Sequence, residues 1–224
     1  MKTKLIVLAL ALSYSFFAKA QDAQNQRIAF SYISSNFEKA IFEQLDKSKL
    51  TGKSLKMYEK SMKRLNTKTI IYFENYLREK LTEQSFEVLP LNTVSTMGNS
   101  ALNMDGYPLI VFPKKTLKKH ADKDLSDYFI SATLAISKPI AALVGMKPEI
   151  SVTLKLFSKN GELIKKVNTL HKTEKKISNM GFAVNTSESF DKMDYEHAEI
   201  LFEKVESKIQ SAIDEAVLEL KMQN

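Results

Sequence analysis

The chain of 224 residues contains no cysteine, and that absence excludes several functions at once. No disulfide can form, no thiol can act as nucleophile, no metal can be held by sulfur, and no N-terminal cysteine can carry a lipid. Histidine is nearly absent: His120, His171 and His197 lie far apart, and His197, beside Glu196 and Glu199, makes no H-E-x-x-H pattern. With 6 glycines there is no Gly-rich phosphate loop, and Ser100 stands in no G-x-S-x-G elbow. Only one long apolar run is present, and it lies at the start.

That run reads as an export signal. Lys2 and Lys4 form a basic beginning, Leu5 to Leu12 is wholly apolar, Phe16 and Phe17 extend it, and Ala18-Lys19-Ala20 is a small-x-small cleavage pattern. The apolar stretch is shorter than the roughly 20 residues needed to span a bilayer. The expectation is a signal peptide over 1–20 and one α/β domain over 21–224, with no transmembrane segment in the mature chain. Export without cysteine points to a bacterial periplasmic or secreted protein whose core is its own support. Asn185-Thr186-Ser187 is a glycosylation acceptor only in a eukaryotic host.

Charge is unevenly spread. The formal net charge is +7, of which the leader carries three lysines and no acid. Residues 21–110 are near balance, with 12 basic and 10 acidic groups. Residues 111–176 hold 14 basic and 6 acidic groups, and residues 177–224 hold 4 and 10. The acidic tail either offsets the basic middle within the fold or leaves each to face a partner.

The clearest element is a β-hairpin, Glu149 to Val167, around Asn160-Gly161. Two registers fit. A two-residue turn pairs Leu154 with Val167 and Phe157 with Ile164. A type I turn with Gly161 as a bulge pairs Leu156 with Ile164 and Ser158 with Glu162. Upstream, Arg27 to Ile33 reads as a strand, with Ile28, Phe30 and Tyr32 on one side and Ile33 on the other. Asn36 suits the cap of a helix over 37–45. A lysine-rich helical pattern carries Leu55, Tyr58, Met62 and Leu65, with Lys56, Lys60, Lys63 and Arg64 around them as a solvated face. Asn66 or Thr67 then suits the cap of a separate helix, Lys68 to Gln84, with the stripe Ile70, Phe73, Leu77 and Leu81. Phe86 to Leu91 reads as a strand that Pro90 confines to an edge or an end. A loop over 92–106, a short strand over 107–112 and a strand over 127–136 follow.

From Ala198 to Leu220 an unbroken apolar stripe marks a long terminal helix of roughly 40 Å, whose early acids suit a helix N-terminus better than a calcium site. The sum is an α+β single domain. It has a mixed or antiparallel sheet of about five strands, a central β-hairpin and the C-terminal helix packed on the sheet.

A helix running into FEVLPL (86–91), the strand DYFISATLAI (127–136), the hairpin EISVTLKLFSKNGELIKKV (149–167) and the long terminal helix together resemble the small α/β domain of bacterial envelope accessory proteins. Examples are the lipoprotein activators of penicillin-binding proteins and the curli-secretion channel family. The resemblance lies in element order over most of the mature chain and carries over no functional residue. The lipid-bearing cysteine of those lipoproteins is missing here.

What the resemblance implies is a non-enzymatic envelope or secreted protein acting through protein contacts, with a protein partner in the cell envelope. Neither the residues nor the resemblance calls for a cofactor, a metal or a catalytic set. His120, Asp122 and Asp124 match no strong metal spacing. The apolar connection over 138–148 offers Ile140, Leu143, Val144 and Met146 as candidate partner-binding residues, the other reading being that they pack inward. A second function is binding of an anionic polymer through 114–123 and 165–176. Its candidate anion-binding residues are Lys114, Lys115, Lys118, Lys119 and Lys123, among which no aromatics are interleaved for base stacking. A third is a hydrolase built from distant carboxylates. Replacing Leu143 and Met146 with Asp is expected to abolish partner capture while leaving circular dichroism and thermal melting unchanged; loss of folding would make 138–148 core.

Overall fold

The structure is a computed structural model that describes residues 26–37, 52–97, 102–103, 105–111, 113–119, 121–137, 148–172 and 195–221. The leader, residues 38–45 of the helix expected over 37–45, residues 138–147 of the connection over 138–148 with Ile140, Leu143, Val144 and Met146, residues 173–176 of the basic segment 165–176, and the acids of 188–194 lie outside these residues. The described strands are β1 (Gln26–Phe37), β2 (Phe86–Val88), β3 (Tyr128–Ser137), β4 (Glu149–Ser158) and β5 (Leu163–Lys172). The described helices are α1 (Lys53–Glu83), α2 (Pro113–Lys118) and α3 (Tyr195–Leu220), with two short 3-10 segments at Leu91–Met97 and Ala121–Lys123. The five strands form one mixed sheet in the order β2-β1-β3-β4-β5. β1 runs parallel to both β2 and β3, and the β3–β4 and β4–β5 pairs are antiparallel. This is the α+β single domain that the element order predicts.

Alternation in β3 and β4 separates the two faces of the sheet. Ile130, Ala132, Leu134 and Ile136, with Ile150, Val152, Leu154 and Leu156, are fully buried against the helices. They meet Phe73, Leu77 and Leu81 of α1 and Val205, Ile209 and Ile213 of α3, members of the same core. On the opposite, outer face, Phe129 and Phe157 join Ala29, Val94 and Leu117 in a smaller second cluster. The chain between β2 and β3 therefore covers one end of the outer face. The rest, including Thr133, Ser151, Thr153 and Asn168, stays half-buried or exposed.

β1 departs from simple alternation. Its pairing with β3 shifts between Phe30 and Tyr32, so Ser31 is an extra residue. That bulge returns Ile33 to the helix side together with Ile28 and Phe30, and it moves Tyr32 outward beside Ser131. β1 also runs on to Phe37. Asn36 pairs with Ala135 and Phe37 with Ile136 inside the sheet, so the helix expected from Phe37 does not begin there.

The break expected at Asn66-Thr67 does not occur; α1 is one helix of 31 residues. Thr67 and Thr69 donate back to the carbonyls of Lys63 and Leu65, at 2.9 and 2.7 Å, which satisfies both hydroxyls within the helix. The Asn66 side-chain oxygen instead accepts the Phe37 N–H at 3.1 Å, at the end of β1. A residue that looks like a cap is thus used to tie helix to sheet.

Nor do residues 107–111, the described part of the strand expected over 107–112, form one. Their only bridges among the described residues are Tyr32 with Leu109 and Leu102 with Pro108. The Pro108 carbonyl accepts the Ile33 N–H and the Ile110 N–H reaches the Ser31 carbonyl, so the segment seals part of the β1 edge that three-residue β2 leaves open. Pro108 lacks a donor to extend that ladder.

The hairpin combines both expected registers. At the tip the Gly161 N–H donates to Ser158 and the Ser158 N–H to Glu162, which is the type I turn with Gly161 at φ 78°. Phe157 then faces Leu163, the pairing shifts, and Leu154 faces Val167 as the two-residue register predicts. Ile164 is the residue left over. β5 continues past Val167 to Lys172.

Two predictions follow from these junctions. A Cβ at Gly161 would sit 2.6 Å from the Lys114 Cα, in a left-handed backbone. Gly161→Ala is therefore expected to cost at least about 2 kcal/mol in denaturant unfolding, since the backbone alone accounts for about 1–2. At the turn end of the sheet, next to Tyr128, which pairs with Ser158, Asp127 accepts the Arg27 backbone N–H at 2.8 Å and a guanidinium N–H at 3.4 Å, locking β1 to β3. The backbone bond first, then the guanidinium, hold its carboxyl below the usual range against partial desolvation. A lowered folded pKa gives stability that is present above the unfolded carboxyl's value of about 4 and lost as pH falls through the folded value. Asp127→Asn should lower stability by about 1 kcal/mol at pH 7, a modest figure because the carboxylate is partly solvated. The gap to wild type should narrow by pH 3, read from denaturant midpoints at the two pH values.

Candidate functional site

The basic segment 114–123 becomes α2 and the 3-10 turn after it. Leu117 is buried in the second cluster and holds this short helix on the outer face of the sheet. Lys114, Lys115, Lys118, Lys119 and Lys123 are all exposed around it. Lys114 lies against the hairpin turn and pairs with Glu162 at 3.7 Å. The hairpin brings more lysines to the same face. Lys155 stands directly opposite Lys166 in the β4–β5 register, two positions along β4 from Phe157 of the second cluster. Like charges placed opposite one another in a ladder are unfavourable. Beside them Thr153 donates to the Asn168 side chain at 2.7 Å. Leu163 and Leu170 occupy the same face of β5, at 55% and 57% exposure.

The structure thus brings the described parts of the two basic segments, within 114–123 and 165–172, to one side of the sheet, but not completely. Lys165 pairs with Leu156 and belongs to the helix side. Lys172 reaches Glu149 at 3.0 Å. His171 lies partly covered with Nε2 2.6 Å from Glu215 of α3. The acids of α3 meet the chain on the helix side of the sheet: Asp214 accepts the Tyr76 hydroxyl at 3.1 Å, and Glu215 meets His171. The sheet separates them from α2, Lys155 and Lys166. Where it is described, the acidic tail does not neutralise the basic outer face.

A cavity of about 1190 Å³, which the sequence analysis did not anticipate, runs along α1. Lys60, Lys63, Arg64 and Lys68 line one end; Ile71, Tyr72 and Tyr76 line the other, with Glu79 beyond. The signal was in the sequence, since these residues recur at helical spacing beside the buried stripe of Phe73, Leu77 and Leu81. Tyr72 and Tyr76 stack with ring centroids 6.0 Å apart. The Tyr72 oxygen accepts from Gln210 at 2.7 Å, and burial pushes its pKa up to about 12, with Glu206 adding to the effect against the Gln210 bond. Burial likewise raises Tyr76, helped by its bond to Asp214. Both phenols stay neutral at physiological pH, so the cations are not offset by a phenolate. Lys68 Nζ lies 4.8 Å from the centroid of the Phe202 ring of α3. A second cavity of about 680 Å³ shares Lys63 and is lined by Tyr32, Ser34, Ser35, Asn66 and Asn103 near the β1 edge.

Among the described residues no group of three or more His, Asp or Glu is placed to hold a metal ion. No described helix is long and apolar enough to cross a membrane.

No protein-family model and no curated protein matches the chain. Among solved structures, a lipoprotein of Neisseria meningitidis is similar at 12% identity and a TM-score of 0.33, covering 83% of this chain and 96% of its own. A hypothetical protein of Chlamydia trachomatis gives 9% and 0.34, over 84% and 98%. A neuraminyllactose-binding hemagglutinin homologue of Helicobacter pylori gives 11% and 0.29, over 88% and 90%. At these values none of the three bears on what this chain does.

Proposed function

We propose that this is an exported bacterial protein that works without catalysis, in an accessory role, by docking an acidic protein partner on the outer face of its sheet. The observation that carries the reading is the gathering of α2, Lys155 and Lys166 on a face that α3 cannot reach. Charge of one sign on an open face speeds and orients the encounter with an oppositely charged surface. Leu163 and Leu170, exposed on that face, favour a protein over a simple polyanion, because protein contacts join an apolar centre to a charged rim. Export is supported by the leader-like run of 1–20, and the accessory role by the element order shared with envelope accessory domains.

The test is affinity capture and crosslinking of the mature chain in its own envelope fraction, at low and high salt, beside a Lys118→Glu/Lys119→Glu/Lys166→Glu variant. One acidic protein should be recovered in near-stoichiometric amount by wild type and be lost, by about tenfold or more, with the variant. Recovery of anionic polymer alone, released at high salt, would move the function to polymer binding. Equal capture by variant and wild type would remove the outer face from the reading.

A further inference from the structure

We propose that the cavity along α1 binds an amphipathic anion: an aliphatic body ending in a carboxylate or a phosphate ester. This site lies on the helix side of the fold, away from the docking face, and stands on its own observations. Its lining is polar at one end and apolar at the other. Lys60 and Lys63 lie one turn apart on α1, where side chains three residues apart are neighbours about 5–6 Å apart at Cβ. Two ammonium groups at that spacing can share one anionic head. No ion pair involving either is found among the described residues, and the head needs nothing from Arg64 or Lys68, which have their own partners.

From Lys63 to Tyr76 the helix rises roughly 20 Å at 1.5 Å per residue. One leaflet of a bilayer's hydrocarbon core is about 15 Å deep, half of about 30. A long acyl chain laid along α1 therefore reaches from the lysines past Ile71 to Tyr72, about 14 Å from Lys63. The surface it would meet is Ile71 with the rings of Tyr72 and Tyr76, interrupted by Thr67 and Asn75; Ile71 is 46% exposed although it lines the cavity. The hydroxyls of Tyr72 and Tyr76 are engaged by Gln210 and Asp214, so these residues offer the cavity ring surface and not polar groups. Glu79, the acid that lines the cavity, sits beyond Tyr76 at the tail end, where it does not compete for the lysines. A volume of about 1190 Å³ lies above that of ordinary ligand pockets, roughly 300–1,000 Å³, which suits a long flexible body. A nucleotide or sugar would leave Ile71 and the tyrosine flanks facing polar groups, and a bare anion would leave the apolar half empty.

The experiment titrates the mature chain with a fluorescent long-chain fatty acid, kept monomeric, and with its methyl ester. A parallel arm uses vesicles of phosphatidylglycerol and of phosphatidylcholine. Wild type should bind the acid saturably at one per chain, and the ester about tenfold more weakly or worse. Lys60→Glu/Lys63→Glu should weaken the acid about tenfold, and Ile71→Asp should do the same from the apolar end. All three positions are exposed, so thermal melting should not change. The Lys118→Glu/Lys119→Glu/Lys166→Glu variant should bind like wild type, which separates this site from the docking face. Binding of the monomeric acid identifies a free amphiphile; binding only to phosphatidylglycerol vesicles, lost in the α1 variants, identifies a lipid headgroup as the source. Equal affinity for acid and ester, unaltered binding by the α1 variants, or no binding in either arm would overturn the assignment.

Discussion

The fold depends on a single apolar layer between one face of the sheet and two helices. No covalent link supports it, so the layer has to be continuous. Ile130, Leu134, Ile136, Ile150, Val152, Leu154 and Leu156 supply the sheet side at zero exposure. Burial of each such side chain contributes about 1.5–3 kcal/mol against the ordering cost of the chain. The bulge at Ser31 extends that layer into β1. Without it, Ile33 and Phe37 would turn to the outer face, because one residue of phase reverses every side chain beyond it.

The elements legible in the sequence are those whose apolar period is unmixed. β3, β4 and α3 repeat every two or every 3.6 residues without interruption, and their existence and packing follow from that. The errors have a common cause. Asn66 and Thr67 look like a helix start because their side chains can bond to backbone, and here they do bond to backbone, but Thr67 within α1 and Asn66 to distant β1. The run over 107–112 has strand composition, yet Pro108 leaves it too few donors for a ladder. The hairpin was ambiguous by one residue because both registers are present, joined by Ile164.

Function was less legible than fold for a related reason. The lysines of 114–123 and 165–176 were visible as segments, but a face is made by tertiary packing. Leu117, Phe129 and Phe157 bring α2 beside the hairpin, and alternation then sends Lys166 outward and Lys165 inward. The α1 cavity was hidden differently. A row of cations around an apolar stripe reads as a solvated surface until Ile71, Tyr72 and Tyr76 are seen to continue the row into an uncovered apolar trough.

Among the described residues β5 is the outermost strand of the sheet beyond β4, ten residues long and regular past Ile164. Such an edge is a template on which a second copy of the chain could add its own β5 and begin a stack. Lys165 and Lys166 near its middle oppose that outcome. In an antiparallel pairing of two β5 strands centred on Lys166, the two Lys166 ammonium groups would stand opposite each other, and desolvating them together is unfavourable. The same charge that repels Lys155 from Lys166 within one molecule thus guards it against its neighbours. A small amount of stability within the sheet is exchanged for resistance to aggregation at high local concentration.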